Sequence, residues 1–135
     1  MTTALVRAGH GSELRRYLDR IRQLPKLDED VQRELARRYQ DGDEDAGRQL
    51  VEANLRTVVG VALQYHAQLG ESLDLIQEGN LGLLRALDKY DPERGIPFTA
   101  YARYWIRAMV LRFAMENAGP VKLGSTRTGR RILFG

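Results

Sequence analysis

The sequence has no cysteine, only two histidines and four prolines in 135 residues. Without cysteine the chain forms neither a disulfide nor a thiolate metal site. His10 and His66 are 56 positions apart and show no ligand spacing, so no histidine metal centre and no catalytic triad can be assembled. A glycine-rich phosphate loop is also missing. These absences argue against an enzyme and leave no expected catalytic residue, metal or cofactor. No apolar run approaches the roughly 20 residues of a membrane span, and the N-terminus lacks the apolar core of a signal peptide. The expectation is a soluble cytoplasmic protein with no membrane partner. Aromatic residues are scarce, ten in all.

What remains is 43% hydrophobic and 29% charged, enough for one packed domain. The net charge of +3 is unevenly placed. Residues 103–135 carry Arg103, Arg107, Arg112, Lys122, Arg127, Arg130 and Arg131 against Glu116 alone, a net of +6 that leaves residues 1–102 at −3. A basic tail on a mildly acidic body suits a polyanionic partner, or forms a solvated basic face.

Apolar spacing is helical almost throughout, with no alternation of the strand kind. After an N-terminal tail, residues 1–11, Ser12 is placed to cap a first helix carrying Leu14, Leu18 and Ile21, ended by Leu24-Pro25. Asp28 is placed to cap a second, with Val31, Leu35 and Tyr39 inward. After the polar turn Asp41-Gly42-Asp43, one longer helix is expected from Glu44 to His66, with Leu50, Val51, Leu55, Val58, Val59 and Ala62 as its stripe. Gly60 inside it costs up to about 1 kcal/mol against alanine, which a close helix contact would explain. A fourth helix spans Leu73 to Lys89, with Ile76, Leu83, Leu84 and Leu87 inward. "DPERGIP" makes the sharpest turn. Thr99 is placed to cap a fifth helix ending near Asn117, and a short last helix starts near Thr126. The fold expected is an all-α bundle of about five helices plus that short C-terminal helix. The domain is expected over residues 12–123, with 124–135 a linker.

Two constellations stand out. Asp74, Gln77 and Glu78 share one face of the fourth helix, either as a solvated surface or as carboxylates for cation or acid–base work. Gly79 and Gly82 on that helix suit close approach by another. In "FTAYARYWIR", Phe98, Tyr101 and Trp105 fall at i, i+3 and i+7, continued by Ala108 and Arg112. Core packing is one reading of that stripe. The other is single-stranded nucleic acid, with bases stacked on rings and arginines on phosphates.

"LVEANLRTVVGVALQY" and "DLIQEGNLGLLRALDKYDPERGIPFTAYARYWIR" closely resemble region 2 of bacterial RNA polymerase sigma factors. The resemblance runs from near Tyr17, in what the family calls region 1.2, to the C-terminus. "VKLGSTRTGRRILFG" is most similar to the heat-shock-type members. The resemblance implies a domain that binds core polymerase and recognises and melts the promoter −10 element. Asp74, Gln77, Glu78, Asn80 and Leu84 would dock on the β′ clamp helices, where an acidic face suits an arginine-rich partner. Tyr101 would stack on a base flipped from the non-template strand, beside Phe98. Tyr104 and Trp105 would fill the upstream edge of the bubble. Asn54 would read a second extruded base, and Arg103, Arg107 and Arg112 would contact the DNA backbone or polymerase. An anti-sigma factor is a further partner that the family allows.

Several positions depart from the housekeeping pattern. Ile96 replaces an aromatic residue, Tyr104 a tryptophan and Thr57 a leucine. Ala108 and Leu111 replace polar residues and cannot hydrogen-bond a base edge, which points to a different −10 preference. The family's −35 domain lies outside the chain, whose end in an apparent helix points to a fragment rather than a naturally short protein. An alternative to the initiator is an interaction module that occupies the clamp and excludes other sigma factors. A helix-turn-helix repressor fits poorly, because no turn has that spacing.

Overall fold

The protein is described by a computed structural model over residues 3–69 and 72–117, with side chains over 12–65 and 72–117. Among these residues the chain forms α1 (Thr3–Arg22), α2 (Glu29–Gln40), α3 (Glu44–Ala53), α4 (Leu55–Leu69), α5 (Ser72–Lys89) and α6 (Phe98–Asn117), with a 3-10 turn at Pro92–Arg94 before α6. The described fold is all-α.

α2 starts at its expected cap, Asp28, and α3 starts at Glu44 as expected, after a cap at Asp43 that was expected only as a turn residue. The Asp28 carboxylate accepts from the Val31 amide at 3.0 Å, and Asp43 accepts from Ala46 at 3.1 Å. Each satisfies an amide that the first helical turn leaves without a partner. Asp43 also meets the Arg38 guanidinium at 2.7 Å. That contact first, and the Ala46 amide next, hold its carboxyl below the usual range. The two other expected caps are not caps. Ser12 lies inside α1, which begins at Thr3, so it is not a cap. Thr99 lies inside α6, which begins at Phe98, and its hydroxyl is committed elsewhere.

The long third helix is two helices. The break falls at Asn54, whose backbone (φ −113°, ψ 7°) leaves the helical basin between α3 and α4. Its fully buried carboxamide donates to Gln32 Oε1 at 2.8 Å and to the Leu50 carbonyl at 2.9 Å. The carboxamide oxygen accepts from the Thr99 hydroxyl at 2.7 Å. One buried amide thus joins α2, the α3–α4 break and the start of α6, and no apolar periodicity signals it. On α2 the inward residues are Gln32, Leu35 and Ala36; Val31 is 44% exposed, because it falls outside the arc that faces α3.

The core runs through Leu50, Val58, Leu75, Leu83, Ile106 and Val110, all fully buried. α5 and α6 form its most closely packed pair. At Gly82 an added Cβ would lie 2.6 Å from the Trp105 carbonyl oxygen and 2.8 Å from Ile106 Cα. At Gly79 it would lie 2.8 Å from a Val58 methyl. Both glycines serve close approach, as expected. Gly60 does not, since among the described residues nothing beyond its chain neighbours and its own helix backbone lies within 4 Å of where its Cβ would be.

The turn between α5 and α6 is held from α2. Arg37 grips both oxygens of Glu93, the shortest contact being 2.9 Å, and Gln40 donates to the Tyr90 carbonyl at 2.6 Å. Asp91 accepts from the Glu93 amide, and Gly95 takes the left-handed conformation (φ 80°) that ends the 3-10 turn. The Tyr90 hydroxyl donates to the Ile96 carbonyl.

Candidate functional site

α6 buries Phe98, Ala102, Ile106, Val110 and Ala114 at i, i+4 spacing. Because that spacing drifts around the helix, the stripe through Phe98, Tyr101 and Trp105 leaves the core as it advances. Phe98 is 2% exposed and meets Tyr90 edge-on at 5.1 Å. It is a core residue, and the expectation that it faces a base is corrected: no open face remains to it. Tyr101 is half-buried, tilted against Tyr90 at 5.6 Å, with its hydroxyl 3.4 Å from the Lys89 carbonyl. Tyr90, itself packed on Phe98, thus supports Tyr101 and leaves part of it in solvent.

Trp105 is also half-buried against the core, and its indole Nε1 is buried without a partner among the described residues. Tyr104 stands edge-on to it at 6.1 Å and is 68% exposed. A ring so exposed is not packing, whereas in the stripe the core reading holds fully for Phe98 and in part for Tyr101 and Trp105, which pack against the core from its edge. Arg103 and Arg107, one turn apart and exposed, have no carboxylate partner among the described residues. Arg112 pairs with Glu116 at 3.0 Å across one helical turn.

Asn54 requires the second correction. Its carboxamide is enclosed and hydrogen-bonded on both ends, so in this conformation it presents nothing to a base. Ala108 is exposed and Leu111 half-exposed, consistent with a crest that offers no hydrogen bonds.

On α5 the buried residues are Leu75, Ile76, Gly79, Gly82, Leu83, Ala86 and Leu87. Asp74 and Gln77 are exposed, while Glu78 and Asn80 are half-buried. Leu84, counted above among the inward residues, is 47% exposed; it lies on the solvent arc with the polar residues. Leu81 is equally exposed and was missed, although its place seven residues after Asp74 and four after Gln77 signals that face. Gln77 and Asn80 turn toward α1, lining a groove of about 520 Å³ with Glu13, Arg16, Tyr17 and Arg20. The Asn80 side-chain oxygen is buried there without a donor among the described residues. The face is therefore acidic and apolar together, separate from the α6 rings.

A second groove, of about 330 Å³, lies between α4 and α6 and is lined by Arg56, Thr57, Gly60, Val61, Gln64, Arg103 and Arg107. Arg56 is already used: its guanidinium donates to the Ile21 and Leu24 carbonyls, closing the end of α1. Among the described residues no cluster of three or more His, Asp or Glu could hold a metal, and no helix is long and apolar enough to cross a membrane.

Residues 50–118 match the Sigma-70 region 2 family. The chain is 46% identical over 118 residues to an RNA polymerase sigma-C factor of Myxococcus xanthus, covering 87% of this chain and 40% of that protein. It is 44% identical over 110 residues to the sigma factor SigA of a Bacillus species, covering 82% of this chain and 29% of that protein. Identity to the sigma factor RpoH of Rhizobium radiobacter is 38% over 122 residues, covering 90% of this chain and 41% of that protein. The chain thus spans less than half the length of these relatives.

Proposed function

The chain belongs to the Sigma-70 region 2 family of bacterial RNA polymerase sigma factors, and on that premise we propose that it docks core polymerase through α5 and captures single-stranded −10 promoter DNA on α6. Sigma factors serve transcription initiation, and the polymerase rather than this domain carries the chemistry. The observation that carries the reading is the exposure of Tyr104, with a supported Tyr101 edge and beside it two arginines that are unpaired among the described residues. A base has a flat face for a ring and a phosphate for a guanidinium, and stacking contributes about 1–3 kcal/mol per base. On α5, Asp74 and Glu78 suit a basic partner helix, and Leu81 and Leu84 supply apolar area at its centre.

The test is binding of a labelled single-stranded −10 oligonucleotide by the chain with core polymerase. Tyr101→Ala should weaken capture by about 10-fold or more, from lost stacking, while polymerase docking is unchanged. Equal capture by wild type and variant would overturn the assignment.

A second reading is favoured by the separation of the two surfaces: α5 could occupy the clamp and exclude other sigma factors without melting. Run-off transcription from an extended −10 promoter separates the two. Product supports the initiator, and loss of competing transcription without product supports the blocker. The heat-shock subtype rests on residues 121–135, outside the described residues, and on kinship to RpoH.

A further inference from the structure

Tyr90, the residue after α5, is 4% exposed and lies beneath the surface that carries the α6 rings. It is held at three points. Its ring meets Phe98 edge-on at 5.1 Å, within the range that aromatic pairs favour. Its carbonyl accepts from the Gln40 side chain of α2 at 2.6 Å, and its hydroxyl donates to the Ile96 carbonyl across the turn. Phe98 belongs to the core, so the Tyr90 ring is braced from within, from α2 and from the turn. Against this braced ring lies Tyr101, tilted by 46° with the centroids 5.6 Å apart. The Tyr101 hydroxyl is 3.4 Å from the Lys89 carbonyl, one residue before Tyr90. Residues 89 and 90 thus bound one side of the Tyr101 ring, and the rest of that ring meets solvent.

We propose that Tyr90 is a positioning residue for strand capture: its ring fixes Tyr101 in the orientation that stacks a base. This rests on the capture reading above and adds to it a buried residue that the strand does not touch. A half-exposed tyrosine free to turn about its side-chain bonds must be stopped when a base stacks on it, and that ordering is subtracted from affinity. A ring already held by its neighbours avoids the loss. Gln40 and the Ile96 carbonyl act one step further back, by holding Tyr90 itself. Because Tyr90 acts through Tyr101, its replacement should matter little once the Tyr101 ring is gone. A residue needed only for the fold would weaken capture in either background.

The test uses the full chain bound to core polymerase and a fluorescent single-stranded −10 oligonucleotide. Tyr90→Leu, which removes the ring, should weaken capture by about 5-fold, the scale of ordering one side chain on binding, with polymerase docking unchanged. Tyr90→Phe keeps the ring and should stay within about 2-fold of wild type. Gln40→Ala loosens Tyr90 from an exposed position outside the core, so it remains informative where Tyr90→Leu fails to fold; about 3-fold weaker capture is expected. In a Tyr101→Ala background, Tyr90→Leu and Gln40→Ala should each add less than about 2-fold. If both variants lose as much in that background as alone, or if Tyr90→Phe loses as much as Tyr90→Leu, the proposal is overturned. If both capture like wild type while Tyr101→Ala is impaired, the positioning role falls and the ring reading stands. If Tyr101→Ala itself captures like wild type, both fall.

Discussion

Gly82→Ala tests the contact that sets where α6 lies. The added methyl would fall 2.6 Å from the Trp105 carbonyl oxygen and 2.8 Å from Ile106 Cα, both backbone atoms that no rotamer change can move. Carbon contacts settle near 3.5–4.0 Å, so α6 would have to retreat by roughly 0.7 Å or more. Overpacking of this kind costs about 1–3 kcal/mol. Replacing glycine by alanine in a helix returns about 1 kcal/mol. The net expectation is a loss of about 1 kcal/mol, or a Tm lower by roughly 3–5 °C for a domain of this size. Gly60→Ala is the matched control, since the same methyl meets nothing and should raise stability by up to about 1 kcal/mol. Urea titration followed by far-ultraviolet circular dichroism measures both. Fluorescence of the single tryptophan, Trp105, reports the displacement directly. A Gly82→Ala variant stabilised as much as Gly60→Ala would refute the backbone-contact argument.

Other outcomes follow from the same geometry. Asn54→Leu leaves Gln32 and Thr99 without their buried partner and should cost about 2–4 kcal/mol in urea titration; an unchanged midpoint would show that the buried amide is dispensable. Leu81→Asp should leave stability within about 0.5 kcal/mol yet weaken polymerase docking by about 10-fold in a competition titration, because the side chain is exposed on the proposed interface. Asp43 has a lowered folded pKa, so its contribution is complete above the unfolded carboxylate range and is lost as pH falls through the folded value. Tm measured from pH 6 to pH 3 should therefore fall less steeply for Asp43→Asn than for wild type.

The sequence revealed most where a residue's own chemistry is sufficient. Asp28 caps its helix through its own carboxylate, and Gly79 and Gly82 mark a close crossing because glycine has few other uses there. It was least legible where a distant partner decides. The break at Asn54 depends on Gln32 and Thr99, which are 22 and 45 positions away, so the apolar stripe runs across it unbroken. Phe98 and Tyr101 are equally aromatic in sequence, but only their angle to the drifting buried arc makes one core and the other an edge. Leu81 and Leu84 look inward by composition and are placed outward by the same arithmetic on α5. Gly60 was expected at a close helix contact, and among the described residues none packs on it, since a missing side chain does not say what approaches it.

The bonds from α2 to the turn before α6 bear on what counts as the heritable unit. Arg37–Glu93 and Gln40–Tyr90 join positions 56 and 50 residues apart, and Leu35, Ala36 and Ala46 complete the same core. All of α2 and most of α3 precede residue 50, where the match to the shared family pattern begins. Excising the chain at that boundary would strip a wall from the core and the clasp from the turn that aims α6. Recombination could exchange residues 50–118 intact as text and still deliver an unfolded product. The portion that the family pattern spans is smaller than the portion that must travel together.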